Sequence, residues 1–260
     1  MNKELTGTKE WAGKNINIQV GCENTCRYCY AAAQAARFKR CKRENWHKPV
    51  INNHKVDKAY RKSKKQPIFF ASTHDITPGN LSQCLCVLKK LLDAGNDVLI
   101  VSKPRWACIP FVCETLKQYQ KQIEFRFTIG STSDEVLRFW EPNAPSFYER
   151  MCCLEYAFKT GYKTSVSCEP YLDGWPLHVY EAVRDLITGD FWLGKLNHFN
   201  KRVDLSGVTE EQMQRFVRPL QKLTEDVYVR EIYRIFKDKP RVKFKDSFRK
   251  VAGKSRRIIK

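Results

Sequence analysis

The sequence predicts an α/β protein built around a parallel β-sheet. Six short runs rich in apolar, β-branched or aromatic residues recur along its 260 residues. Most segments between them carry helical periodicity. Strands that alternate with helices form βαβ units, in which helices cover parallel strands. Near-continuous apolar cores such as "VLIV" and "IFF" suit a sheet covered by helices. Periodicity leaves open whether six such units close partly into a barrel or remain a doubly wound sheet. In either case, function belongs at the C-terminal ends of the strands.

The predicted strands are "NINIQV" (15–20), "PIFFAS" (67–72), "DVLIVS" (97–102), "IEFRFTIG" (123–130), "YKTSVSC" (162–168) and "DFWLGKL" (190–196). Among the helices, 81–95 sets Leu81, Leu85, Leu88 and Leu92 on one face and ends at Gly95. Such a glycine supplies the left-handed turn that ends a helix. Segment 146–161 has the same form and ends at Gly161. Segment 209–223 opens with Thr209 as N-cap and acids in its first turn. Residues 37–66 interrupt the rhythm and read as an inserted loop. Residues 237–260 read as a basic tail whose order the sequence leaves open, after a domain spanning 1–236.

The formal charge is +19, and it is concentrated. Residues 37–65 hold twelve Lys/Arg against two acids, a net of +10, and residues 237–260 hold eleven against two, a net of +9. The remainder balances at 24 of each sign. Two such blocks on a neutral body are the footprint of a polyanion binder such as nucleic acid, although solvated blocks of like charge can also be inert. Trp46, Phe244 and Phe248 lie among these charges and are candidates to stack on bases. No run of eighteen apolar residues is present, which argues against a membrane span. The N-terminal stretch lacks the apolar core of a secretory leader, so a cytoplasmic location is expected. There, eleven cysteines imply thiols or metal ligands rather than disulfides.

Cys22, Cys26 and Cys29 follow the first strand at spacing C-x3-C-x2-C. Structural zinc takes four protein ligands, and this chain has no second C-x2-C. Cys84/Cys86 and Cys152/Cys153 fall within predicted helices, where cysteine usually acts as a small apolar packing residue. A [4Fe–4S] cluster bound by three cysteines keeps one iron open for a cofactor or substrate. The alternative is a zinc site that recruits Cys41 or His47.

This motif, with Tyr28 before the third cysteine, resembles the signature of the radical S-adenosylmethionine (SAM) enzymes. The resemblance implies a partial (β/α)6 TIM-like barrel, a [4Fe–4S] cluster and S-adenosyl-L-methionine on the fourth iron. It also implies an electron donor such as flavodoxin or ferredoxin, and a 5′-deoxyadenosyl radical that abstracts hydrogen from a substrate. Within that superfamily, residues 15–200 are most similar to the spore photoproduct lyase and DNA repair photolyase-like group. The likeness is carried by "FFASTHDITPG" (69–79), "VLIVSKP" (98–104) and residues 127–162, which contain Glu141, Pro142, Pro145, Ser146 and Arg150. It assigns Thr73 and Thr128 to polar contacts with the cofactor and Lys103 to its carboxylate. Tyr28 and Tyr30 would flank cluster and adenine.

The chain departs from that group at Ser72, where the pattern has a hydrogen-donating cysteine. An O–H bond is too strong for that task. Cys168, expected to face the site, and Cys41 are the thiols that could substitute. Glu169, His74 and Asp75 are candidates for proton transfer or substrate binding. Lys195, Asn197 and His198 are further residues on the same rim, and His47 and His54 carry no specific expectation. The function expected is a lyase-like or nucleic-acid-modifying radical enzyme acting on nucleic acid or a nucleotide. A radical enzyme modifying a protein or peptide, and a non-enzymatic iron–sulfur protein that binds nucleic acid, are the alternatives.

Overall fold

The computed structural model describes residues 7–65 and 67–255. Residues 1–6, 66 and 256–260 lie outside the described residues, including the start of the stretch read as leaderless and the end of the basic tail. Among the described residues there are nine strands: β1 (Lys14–Ile16), β2 (Gln19–Val20), β3 (Val50–Ile51), β4 (Ile68–Phe70), β5 (Val98–Ser102), β6 (Ile123–Thr128), β7 (Lys163–Cys168), β8 (Phe191–Leu193) and β9 (Val242–Phe244). Seven form one sheet in the order β1-β4-β5-β6-β7-β8-β9, and every neighbouring pair is parallel. Parallel neighbours in chain order are the topology of a β/α barrel.

The alternation of side chains divides the sheet into two faces. On the outer face Phe70, Ile100, Phe125, Phe127, Val166 and Phe191 pack with helical residues such as Leu88, Leu91 and Val112 in the main core. Each such side chain, fully buried, contributes about 1.5–3 kcal/mol. On the inner face Phe69, Leu99 and Val101 form a separate cluster with Ala12 and Trp11. The Trp11 ring lies 5.8 Å from Phe69 and 5.8 Å from Trp192, with the Arg126 guanidinium 5.0 Å from it. One indole therefore touches β4, β6 and β8, which requires the inner face to be concave. The fold class is the expected α/β partial barrel.

Two expectations are corrected. The run at 15–20 splits into β1 and β2, and β2 pairs antiparallel with β3 in the insertion. The residues read as a tail supply the seventh strand and the helix Asp246–Ser255. Lys245 is 1% exposed. Its ammonium donates to Gly7 O at 2.7 Å, pairs with Glu10 at 3.0 Å and Glu169 at 3.6 Å, and lies 4.2 Å from the Trp11 ring. Burial of a cation is tolerable only with such partners. This contact joins the segment after β9 to the segment before β1.

The helix read over 209–223 is present, with a π-helical stretch at Met213–Val217 before Pro219. Proline has no N–H and its ring clashes with the carbonyl four residues earlier, so the helix loosens there. The segment after β6 is fixed by Glu141 and Arg150, both wholly buried and ion-paired. Arg150 also donates to Pro145 O at 2.9 Å and Thr128 O at 3.1 Å.

Removing one partner of a buried pair leaves an uncompensated charge. Arg150→Met should therefore lower unfolding free energy by about 3–5 kcal/mol. The double variant Glu141→Gln/Arg150→Met should recover part of that loss. Urea denaturation of both variants checks it; equal losses would contradict the pairing.

Candidate functional site

The three cysteines lie on the loop between β2 and the helix α1 (Tyr30–Arg37). Gly21 begins the loop with φ +97°, and a Cβ there would sit 2.9 Å from Pro49 Cα and Trp46 O. Only glycine fits that close approach. Cys22 N–H donates to Trp46 O at 2.8 Å, and Trp46 is buried against Cys22, Ala31, Ala32 and Ala35. The insertion is therefore the outer wall of the cysteine loop. Cys29 caps α1, and its Sγ accepts from Ala32 N–H at 3.5 Å.

Asp75 holds the loop to the sheet. Its carboxylate accepts from Asn24 Nδ2 at 2.7 Å, Lys103 N–H at 2.8 Å and Ser102 Oγ at 3.1 Å. It pairs with Lys103 Nζ at 3.6 Å and lies 4.0 Å from Cys22 Sγ. Burial pushes this carboxyl up, but Lys103 and the hydrogen bonds outweigh it and hold it below the usual range. Arg105 donates to Asn24 Oδ1 at 2.6 Å, and Arg27 N–H donates to Trp140 O at 2.8 Å. The loop is thus tied to the ends of β4 and β5 and to the helix Asp134–Trp140 that follows β6.

Several predicted residues converge here. Lys103 Nζ lies 5.9 Å from the Tyr28 ring centre, and its charge is felt by Cys26 and Cys29. Burial disfavours the Lys103 ammonium, yet Asp75, Cys26 and Tyr28 together raise it well above the ordinary lysine value. Tyr28 hydroxyl donates to Glu141, and Tyr30 hydroxyl donates to Ser72 O. Thr73 N–H donates to Asn17 Oδ1 at 3.0 Å. Thr128 lies on the inner face, opposite in parity to Phe127 in the outer core.

Other candidates sit elsewhere. Cys168 is fully buried in the outer core beside Val166, so it faces the helices and not the site. The expectation was wrong by one residue of strand parity. His74 Nε2 accepts from Ile18 N–H at 3.1 Å and Nδ1 lies 3.2 Å from Asp75 O. Burial lowers its pKa to about 4, so it is a neutral ring engaged by backbone on both sides, not a proton shuttle. Asp75 is likewise committed to the loop. Lys195 donates to Thr224 O at 2.7 Å, while Asn197 is half-buried and His198 exposed. Cys41 joins the cluster of Cys22, Cys29 and Trp46.

Glu169, next to Cys168, takes the opposite parity and enters the barrel interior. A Cβ at Gly194 would lie 2.7 Å from Glu169 Cγ, so glycine there leaves the carboxyl its path to Lys245. Burial pushes Glu169 up to about 7 against the pull of Lys245. Sequence reasoning missed Asn24, Ser102, Arg105 and Lys245, none of which carries a motif of its own. It also missed Arg202, whose guanidinium lies 5.8 Å from the Tyr30 ring.

A cleft of about 270 Å³ reaches Cys26 from outside, lined by Arg27, Arg43, His47 and Asp204 among others. Among the described residues, no three His, Cys, Asp or Glu side chains stand close enough to share one metal ion. Three thiols that each bind a different iron of a cubane stand farther apart than ligands of a single ion. The donor set fits such a cluster: three free thiols, a backbone N–H on one sulfur, and nearby cations Lys103 and Arg43. Burial pushes Cys22 up to about 12, so any metal bound there would have to displace its proton.

No protein-family model matches the sequence, and no curated protein matches it either. Among solved structures, it is similar to spore photoproduct lyase complexed with dinucleoside spore photoproduct. That match has 17% identity and a TM-score of 0.50, covering 88% of this chain and 75% of that one. A variant of the same lyase with bound AdoMet and the dinucleoside matches at 18% and 0.51 over the same shares. This chain shares their fold. It also matches Streptococcus suis SuiB, at 10% identity and TM-score 0.50, covering 86% of this chain and 46% of that protein. Among the described residues no helix is long and apolar enough to cross a membrane.

A carboxyl whose folded pKa exceeds its unfolded value stabilises below the unfolded value and loses that contribution as pH rises through the folded one. Wild type should therefore lose thermal stability relative to Glu169→Gln between pH 5 and pH 8. Parallel melting curves across that range would refute the raised Glu169.

Proposed function

We propose that this chain is a radical SAM enzyme acting on nucleic acid or a nucleotide. The observation that carries the reading is the cysteine loop at the C-terminal mouth of a partial barrel, with three free thiols gathered under Asp75 and Lys103. The fold likeness to a lyase structure holding AdoMet supports it. Cys22, Cys26 and Cys29 would hold a [4Fe–4S] cluster. Cluster and SAM, when bound and reduced, supply a 5′-deoxyadenosyl radical that abstracts hydrogen.

The protein's own groups serve to bind and orient. Lys103 offers a buried, charged ammonium to the cofactor carboxylate, a charge-assisted contact. Tyr28, held by Glu141, and Tyr30, held by Ser72, form the walls. Thr73 and Thr128 supply polar contacts from β4 and β6. Ser72 replaces the family thiol and Cys168 is sealed in the core, so hydrogen return does not run through either position. The reductant would be a one-electron donor such as flavodoxin or ferredoxin.

The nucleic-acid part rests on charge. In the insertion Arg37, Lys39, Arg40, Lys42 and Lys48 are exposed. Phe38 is 56% exposed between Arg37 and Arg40, whose guanidinium carbons lie 5.5 Å and 5.3 Å from its ring. An exposed ring among cations suits base stacking and phosphate contact. Trp46 and Phe248 do not serve that role, being 5% and 0% exposed. Phe244 is half-buried against Tyr233 and Phe248. The second basic block commits several charges internally, with Lys239 paired to Glu181, Arg249 to Glu10 and Lys245 buried.

Anaerobically reconstituted protein, given dithionite and SAM, should yield 5′-deoxyadenosine by mass spectrometry, and Cys26→Ala should yield none. Undamaged and ultraviolet-irradiated DNA added in parallel should raise the yield with one polymer. A protein holding close to four irons that forms no 5′-deoxyadenosine would leave a cluster-bearing binding protein instead.

A further inference from the structure

Arg202 differs from the other arginines around the cysteine loop. Arg27 donates to Phe139 O at 3.0 Å, Arg43 pairs with Asp204 at 2.9 Å, and Arg105 bonds Asn24. The Arg202 side chain has no hydrogen bond or ion pair among the described residues. It is nonetheless half-buried, and its guanidinium lies 5.8 Å from the ring of Tyr30. That ring is fixed at its far end by the bond to Ser72 O and follows Cys29 directly. Arg202 closes the short helix Phe199–Arg202 after β8, on the strand-end rim of the barrel. Its five N–H donors are therefore held beside the mouth with no acceptor among the described residues. A guanidinium has a planar donor fork that matches phosphate oxygens two at a time.

We infer that Arg202 anchors a phosphate of the substrate at the barrel mouth, beside Tyr30. The substrate class is a nucleotide or nucleic-acid strand. The inference relies on the radical-enzyme reading only for placing the reacting atoms on this side of the cysteine loop. Lys103, already paired with Asp75 at 3.6 Å, leaves the cofactor carboxylate a separate cation. The phosphate would share the mouth with Glu169, which lies near enough to Arg202 and Tyr30 to influence both electrostatically.

The test measures equilibrium binding to the reconstituted protein, so it reads independently of radical formation. The probes are thymidylyl-thymidine, its uncharged methylphosphonate analogue and SAM. Arg202→Gln should bind thymidylyl-thymidine about tenfold or more weakly, as expected for loss of a charge-assisted contact. The slope of log affinity against log salt should fall by about one. Arg202→Lys, which keeps the charge without the fork, should lie between and carries the test if Arg202→Gln fails to fold. The methylphosphonate should bind wild type and variant alike. Equal thymidylyl-thymidine affinity in wild type and Arg202→Gln would overturn the inference. So would an equal loss with the methylphosphonate, or a loss confined to SAM, which would assign Arg202 to the cofactor. A wild type that binds the dinucleotide through Arg202 but forms no 5′-deoxyadenosine would refute the radical reading alone.

Discussion

The arrangement of the mouth depends on the carboxylate of Asp75. A loop that holds three cysteines has almost no regular structure to position it. Its place is set by bonds to the sheet, and Asp75 gathers the most of them: the amide of Asn24, the hydroxyl of Ser102 and the backbone of Lys103. Asn24 is fully buried, so loss of its acceptor would strand a polar amide in the interior. Without Asp75, Lys103 would be a buried cation lacking its counter-charge, the costliest arrangement a core can contain. The same carboxylate therefore fixes the loop and keeps the ammonium charged beside it.

Away from the mouth the sheet separates two kinds of chemistry. Its outer face is an apolar core shared with the helices. Its inner face becomes polar toward the floor. Glu124, Arg126 and Ser165 bond one another there, and Arg126 lies against the Trp11 and Trp192 rings. Charges paired this way and covered by indoles are rigid. A rigid floor leaves adaptability to the loops at the strand ends, where barrel enzymes place their chemistry.

The strands with continuous apolar runs and the helices closed by Gly95 and Gly161 were legible in the sequence, because pattern and local geometry agree there. The position of the three cysteines on one loop at the strand ends was legible because C-x3-C-x2-C directly follows an apolar run. β9 was not, since "VKF" among lysines reads as solvated chain, and only tertiary partners reveal that Lys245 is buried. His74 and Asp75 have residue types and a position that suggest catalysis; their engagement with Ile18, Asn24 and Lys103 is long-range and leaves no trace in sequence. Cys168 and Glu169 were both placed at the correct strand end, but a period of two separates core from interior by one residue. Arg202 falls in a short segment without any motif.

The contact of Lys245 with the segment before β1 also bears on the order in which the molecule is completed. Lys245 and Gly7 meet across a separation of 238 residues. Chains fold from the N-terminal side as they are synthesised, so the cysteine loop and strands β1 to β8 precede β9. Until Lys245 emerges, Glu10 and Glu169 lack their shared cation. Docking of this last strand therefore brings two carboxyls and their common counter-charge together in one step, and ties the segments at the two ends of the sheet to each other.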